Sequence, residues 1–99
     1  MGIITDYLRL QKQNEEKYGQ RTVVLMQIGS FYEIYEYDVS SCTSDDAKVD
    51  KEGKVWNESI GHAIELSTTL NCCLTYENSD EPFSIRNPFK IGFPVISYE

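Results

Sequence analysis

The chain is short of the materials for most site chemistry. It has one histidine, His62, and three cysteines, Cys42, Cys72 and Cys73. It has 9 Lys and Arg against 16 Asp and Glu, a formal net charge of −7. The odd thiol count sets up no disulfide framework and reads as a reducing, intracellular setting of undefined compartment. Adjacent cysteines without C-x-x-C spacing, beside one histidine, make a poor metal-ligand set. No cysteine-hydrolase signature surrounds Cys72 or Cys73, which read as small buried thiols. Gly53-Lys54 lacks the rest of a phosphate loop, so no nucleotide hydrolysis is assigned. No apolar run nears the ~20 residues needed to span a bilayer, and no membrane partner is expected. The acidic balance excludes a domain that holds nucleic acid chiefly by neutralising phosphates. Two short modification motifs add nothing. Asp6 breaks the myristoylation pattern that Gly2 opens, and Asn57-Glu58-Ser59 is a glycosylation pattern of little meaning inside a cell.

What is present suffices for one folded domain over residues 1–99. The chain is 40% hydrophobic and 12% aromatic, too rich for disorder. Thr5 reads as the N-cap of a helix over 5–18, with Gly19 as its stop. Residues 22–28 form a β-branched apolar run that predicts a strand buried on both faces. Gly29-Ser30 is a turn signal, and 31–37 alternates as a second, hairpin-paired strand. Residues 38–57 hold Asp38, Asp45, Asp46, Asp50 and Glu52. They read as an acidic loop or insertion, a solvated connector with a short strand at 54–56. Asn57 is placed to cap a helix over 58–70, with His62 partly exposed on it and Asn71 ending it. Residues 73–76 read as a strand, 78–88 as loop, and 91–97 as a last strand interrupted by Gly92 and Pro94. The order predicts an α/β (α+β) domain with a mixed β-sheet flanked by helices. The chain ends at Tyr98-Glu99 without a terminating feature and reads as part of a longer protein.

The stretch Gln27-Ile28-Gly29-Ser30-Phe31-Tyr32-Glu33-Ile34 carries the most chemistry. Phe31 and Glu33 lie two residues apart, on one side of an extended strand. Phe31 directly follows a turn, where side chains are often presented outward. A ring beside a carboxylate is awkward in a closed core and apt for reading a base by stacking and hydrogen bonding.

At these residues the chain resembles the N-terminal mismatch-recognition domain (domain I) of the MutS family of DNA mismatch-repair proteins. The family's opening Tyr-Leu-x-Leu-Lys type segment is met by Tyr7-Leu8-Arg9-Leu10-Gln11. Its Gly-Asp-Phe-Tyr-Glu is met by Gly29-Ser30-Phe31-Tyr32-Glu33. Its helix leading to a strand that ends in Leu-Thr is met by 63–75, and its Gly-Ile-Pro by Gly92-Phe93-Pro94. The landmarks run in order over nearly the whole chain. Ser30 departs from the usual aspartate, and 38–57 is longer than the bacterial connector. The wording of 26–33 is nearest to the divergent branch of giant viruses and octocoral mitochondria.

The resemblance implies a non-catalytic reading head for mismatched double-stranded DNA. Phe31 would enter the minor groove and stack on a mispaired base, and Glu33 would hydrogen-bond that base. Repulsion from phosphates would favour a protonated Glu33, able to donate to a base acceptor. Gly29, Ser30, Tyr32, Gly92 and Pro94 would support the loop, with Tyr32 packed inward. The fragment itself would need no cofactor. In the full-length family protein, ATP and Mg serve an ATPase domain absent here, and a homodimer encircles the duplex. The alternative is an acidic protein-interaction domain that keeps the fold and docks a partner through exposed Phe31, Tyr35 and Tyr37.

Overall fold

The structure is a computed structural model that describes residues 3–76 and 78–94. Helix α1 spans Ile3–Tyr18 and buries Tyr7, Leu8 and Gln11 on one side. Asp6 in its first turn and Lys17 in its last complement the helix dipole. Gly19, at φ 112°, donates its N–H to the Glu15 carbonyl at 2.9 Å and closes the helix as its position predicts. The helix begins two residues before Thr5, which therefore lies inside the first turn and is not the N-cap expected.

The run after α1 departs further from expectation. Only Met26–Ile28 is a strand, β1, and its last two residues are exposed. Side chains of α1 take the backbone partners that a neighbouring strand would have supplied to 22–24. The Gln11 amide donates to Thr22 O at 2.6 Å and accepts from Val24 N at 2.8 Å. The Tyr7 hydroxyl donates to Val24 O at 2.7 Å. Side-chain pairing satisfies the backbone without adding a ladder.

Strand β2, Phe31–Tyr37, is the hub of the sheet. It pairs with β1 through the two-residue Gly29-Ser30 loop, where Ile28 faces Phe31. Gly29 has φ 59°, as a loop of this length with glycine first requires. Along its other edge β2 pairs with β5, Phe89–Pro94, from Phe31↔Pro94 to Glu36↔Phe89. Two short strands complete the sheet: β3 (Ile60–Gly61) pairs with β2, and β4 (Thr75–Tyr76) pairs with β5. The α+β class holds. All pairings among the described residues are antiparallel, so the sheet is not mixed as expected. With hairpins and short returns as connections, no parallel crossover is formed.

Helix α2 is Ala63–Thr69, shorter than the 58–70 expected. The reason is β3: residues 60–61 are drawn into the sheet, with Gly61 at φ 102° where a Cβ would run into the Tyr35 carbonyl. The cap comes from another element, since the Glu36 carboxylate accepts the Ile64 N–H at 2.8 Å and Asn57 is uninvolved. Asn71 does end the helix, at φ 54°. Cys72 N–H reaches Ser67 O at 2.9 Å and Asn71 N–H reaches Thr68 O at 3.3 Å, a Schellman closure. Successive strand residues face opposite ways. Tyr35 meets the Tyr7 ring of α1 (centroids 5.3 Å) while Glu36 caps α2, so the two helices cover opposite faces. The buried core includes Leu8, Ile34, Tyr35, Tyr37, Trp56, Ile85 and Ile91. β5 runs through Gly92 without interruption. The expected strand residues 95–97 lie outside the described residues.

The acidic segment 38–57 is a folded lobe, correcting the reading as a solvated connector. Two 3-10 turns, Val39–Ser41 and Asp46–Lys48, and a bridge between Val49 and Val55 order it. Asp50 is buried at its centre. It accepts the Trp56 indole N–H at 2.9 Å and the backbone N–H groups of Glu52 (2.8 Å) and Lys54 (3.0 Å). Tyr37 donates to Trp56 O at 2.7 Å, and Ile85 N–H reaches Ala47 O at 2.8 Å, which ties the lobe to the sheet and to the 84–87 turn. The loop over 78–82 is held likewise. Buried Asn87 donates to the carbonyls of Asn78, Glu81 and Pro82, and accepts from Asn78 N.

Candidate nucleic-acid interface

The hairpin places Phe31 and Glu33 as the alternation predicted, on one face of β2 at the loop end. Phe31 is 51% exposed despite its size. Its cross-strand neighbours are Ile28, also exposed, and Pro94, so the ring stands at a corner with apolar flanks. Glu33 is more enclosed, with 18% of its side chain exposed. Its Oε1 accepts the Tyr35 hydroxyl at 2.9 Å and its Oε2 lies 3.4 Å from Lys90 Nζ. A hydroxyl and an ammonium thus fix the carboxylate beside the ring. Neither partner was anticipated from the sequence. The cross-strand register gives both, because Tyr35 is two residues along the same face and Lys90 stands opposite Tyr35.

The supporting residues come together around this pair. Gly29 and Ser30 make the exposed loop, Pro94 faces Phe31, and Gly92 faces Glu33. Met26 stands opposite Glu33 on β1, while a glycine opposite it on β5 leaves that side without a directly opposing side chain. A Cβ there would meet Tyr32 O at an ordinary 3.7 Å, so openness, not steric necessity, is what Gly92 supplies. Tyr32 lies on the opposite face, half-buried against Phe93 with ring centroids 5.7 Å apart.

The other candidates separate from this site. His62 has Glu15 at 3.6 Å and Glu65 at 4.0 Å as its charged neighbours, so its surroundings are carboxylates and not a thiol. Cys42 and Cys72 are half-buried and Cys73 is exposed, so the expected burial of the Cys72-Cys73 pair is only partial. Cys42 Sγ sits 3.5 Å from the Tyr37 hydroxyl. Tyr35 and Tyr37, expected as exposed docking aromatics, are buried under α1 and the acidic lobe. Among the described residues no helix is long and apolar enough to cross a membrane.

Among the described residues, three carboxylates have shifted proton affinities. Burial pushes Glu36 above its ordinary range; nearby Asp38 and Glu65 add to this, while the Ile64 N–H and His62 oppose it. For Asp50, burial alone would raise the value, but the bonds from Trp56, Lys54 and Glu52, with the Arg9 charge, hold it below. For Asp38, burial is likewise outweighed by bonds from Ser40, Ser41 and Ser59. Comparison of the chain with known protein families, curated proteins and solved structures gives no match.

Proposed function

We propose that the chain is a DNA mismatch-reading module of the MutS type. Phe31 acts as a minor-groove wedge and Glu33 as the base-contacting carboxylate. The observation that carries this reading is the corner position of Phe31, 51% exposed, with a positioned carboxylate two residues on along the same face. A wedge must unstack a base step, and mispaired steps cost less to unstack and bend. Selectivity then follows from the step's weakness, and the module needs no catalytic group.

The −7 charge fits a tip-only contact, in which acidic faces turn away from the duplex and other domains grip the backbone. On this reading the 99 residues are the reading head of a longer homodimeric ATPase, located inside a cell and using ATP and Mg in another domain. The isolated chain would hold DNA weakly.

The test is heteroduplex against homoduplex binding by the full-length protein, with Phe31→Ala alongside. Loss of most of the preference is expected, and an unchanged ratio sinks the wedge.

The second reading, an acidic protein-interaction domain, keeps one observation in its favour. Ile3, Leu10 and Leu25 are exposed around a groove between α1 and β1. Equal binding of both duplexes by the unaltered protein would favour it.

A further inference from the structure

A cavity of about 240 Å³ opens beside the Phe31 corner. Its lining joins five parts of the chain: Ile3 and Ile4 from α1, Ile28 from β1, Glu33 from β2, Lys51 from the acidic lobe and Arg86 from the 84–87 turn. Aliphatic walls, one carboxylate and two cations form an amphipathic pocket with room for a single base, the exposed cations lying where an attached phosphate would reach, and too small for a peptide segment. We infer that this pocket takes a guanine nucleotide, its base between the isoleucines and its phosphate toward Lys51 and Arg86. The choice of a nucleotide rests on the nucleic-acid reading above; the choice of base rests on the carboxylate.

Glu33 uses one acceptor position on each oxygen, toward Tyr35 and Lys90. A carboxylate has about four such positions, so one more on each oxygen is open. Guanine is the DNA base whose pairing edge offers two adjacent N–H donors, N1–H and N2–H, matching a bidentate carboxylate. Adenine and cytosine each place a ring acceptor beside their amino group, against the carboxylate's charge. Thymine has one N–H between two carbonyls.

The cations are anchored differently. Arg86 donates to Val49 O and Asp46 O, both at 3.1 Å, and pairs with Asp46 at 3.4 Å. It therefore holds the acidic lobe at the pocket's edge. Lys51 is exposed on that lobe. The lobe thus contributes one exposed lysine to the pocket, and Arg86 from the 84–87 turn stands beside it, paired to Asp46. The base could arrive free or extruded from a duplex, and extrusion costs least at a mismatch.

Titration of the 99-residue chain with dGMP, dAMP, dCMP and dTMP, followed by backbone amide NMR, tests the pocket. Shifts at Ile3, Ile28, Glu33 and Lys51 are expected, with dGMP binding at least about tenfold tighter than the others. Glu33→Gln should abolish the preference, and Lys51→Ala should weaken dGMP and leave guanine-base selectivity. Ile28→Trp, which fills the pocket and spares Glu33, should remove binding if Glu33→Gln misfolds. Equal binding of the four nucleotides, or no shifts at millimolar dGMP, overturns the inference.

A fluorescent guanine analogue opposite thymine, in a duplex given to the full-length protein, distinguishes the two sources. Brightening marks an extruded base, and constant emission with intact dGMP binding marks the free nucleotide. Phe31→Ala should leave dGMP binding within twofold. Wedge failure and pocket failure therefore register in different experiments.

Discussion

The Asp50 carboxylate accepts the indole N–H of Trp56 at 2.9 Å in the middle of the acidic segment. The same carboxylate serves two backbone donors and stands 4.0 Å from Arg9 of α1. Asp50→Ala strands three donors at once, so a loss of about 3 kcal/mol in urea unfolding is expected. Trp56 emission should shift to the red as the indole meets water. A change under half a kcal/mol would mean that the lobe does not depend on this carboxylate.

Two sets of carboxylates should move stability with pH in opposite directions. The folded-state proton affinities of Asp38 and Asp50 are depressed. Their contribution is present above the unfolded value near ~3.9 and is lost as pH falls through the folded values. Glu36 is raised, so its contribution is present below the unfolded value near ~4.3 and is lost as pH rises through the folded one. Relative to wild type, Glu36→Gln should therefore gain stability as pH rises above about 4.3. The deficit of Asp50→Asn should shrink on acidification toward pH 2. Unfolding curves at four pH values check both, and parallel pH profiles would contradict the assignment.

Gly61 sits where the backbone leaves no room for a side chain. It has φ 102°, and a Cβ would run into the Tyr35 carbonyl. Gly61→Ala should cost roughly 2 kcal/mol or more in a thermal melt, whereas Gly92→Ala, where a Cβ meets only an ordinary contact with Tyr32 O at 3.7 Å, should cost much less. Equal losses at both positions would remove the argument.

The Phe31 ring and the Glu33 carboxylate separate stability from recognition. Phe31→Ala removes a half-exposed ring and should change unfolding free energy by roughly 0.5 kcal/mol. Tyr35→Phe keeps the buried ring and deletes the hydroxyl that fixes Glu33. It should lower mismatch discrimination while duplex affinity stays within a few-fold. Glu33→Gln should hold or raise affinity for both duplexes, because repulsion from phosphates is removed, and again lower discrimination. A large affinity loss in either variant points to a structural role instead.

Periodicity and turn chemistry made α1, the hairpin and the α+β class legible. Phe31 and Glu33 emerged on the expected face because alternation along a strand is local. What escaped was tertiary. Gln11 looked like one more polar helix residue, yet its amide pairs with 22–24 and keeps that run out of the sheet. Nothing in the alternation of 31–37 marks Glu36 as a cap, yet its carboxylate holds the first turn of α2. The acidic lobe was missed because charge density signals solvation, whereas one buried aspartate organises it. A tryptophan within a charge-rich segment was the available clue, since an indole rarely stays in water.

Phe31 begins β2, and Glu36, five residues along the same strand, holds the first turn of α2. That span is about 17 Å at ~3.4 Å per residue. Antiparallel hydrogen bonds lie perpendicular to their strands. A push on the ring along the strand axis therefore loads all six cross-strand pairs with β5 in shear, together, instead of peeling them one by one. β2 is in this sense a short push-rod: force received at the corner arrives at the helix with little taken up between.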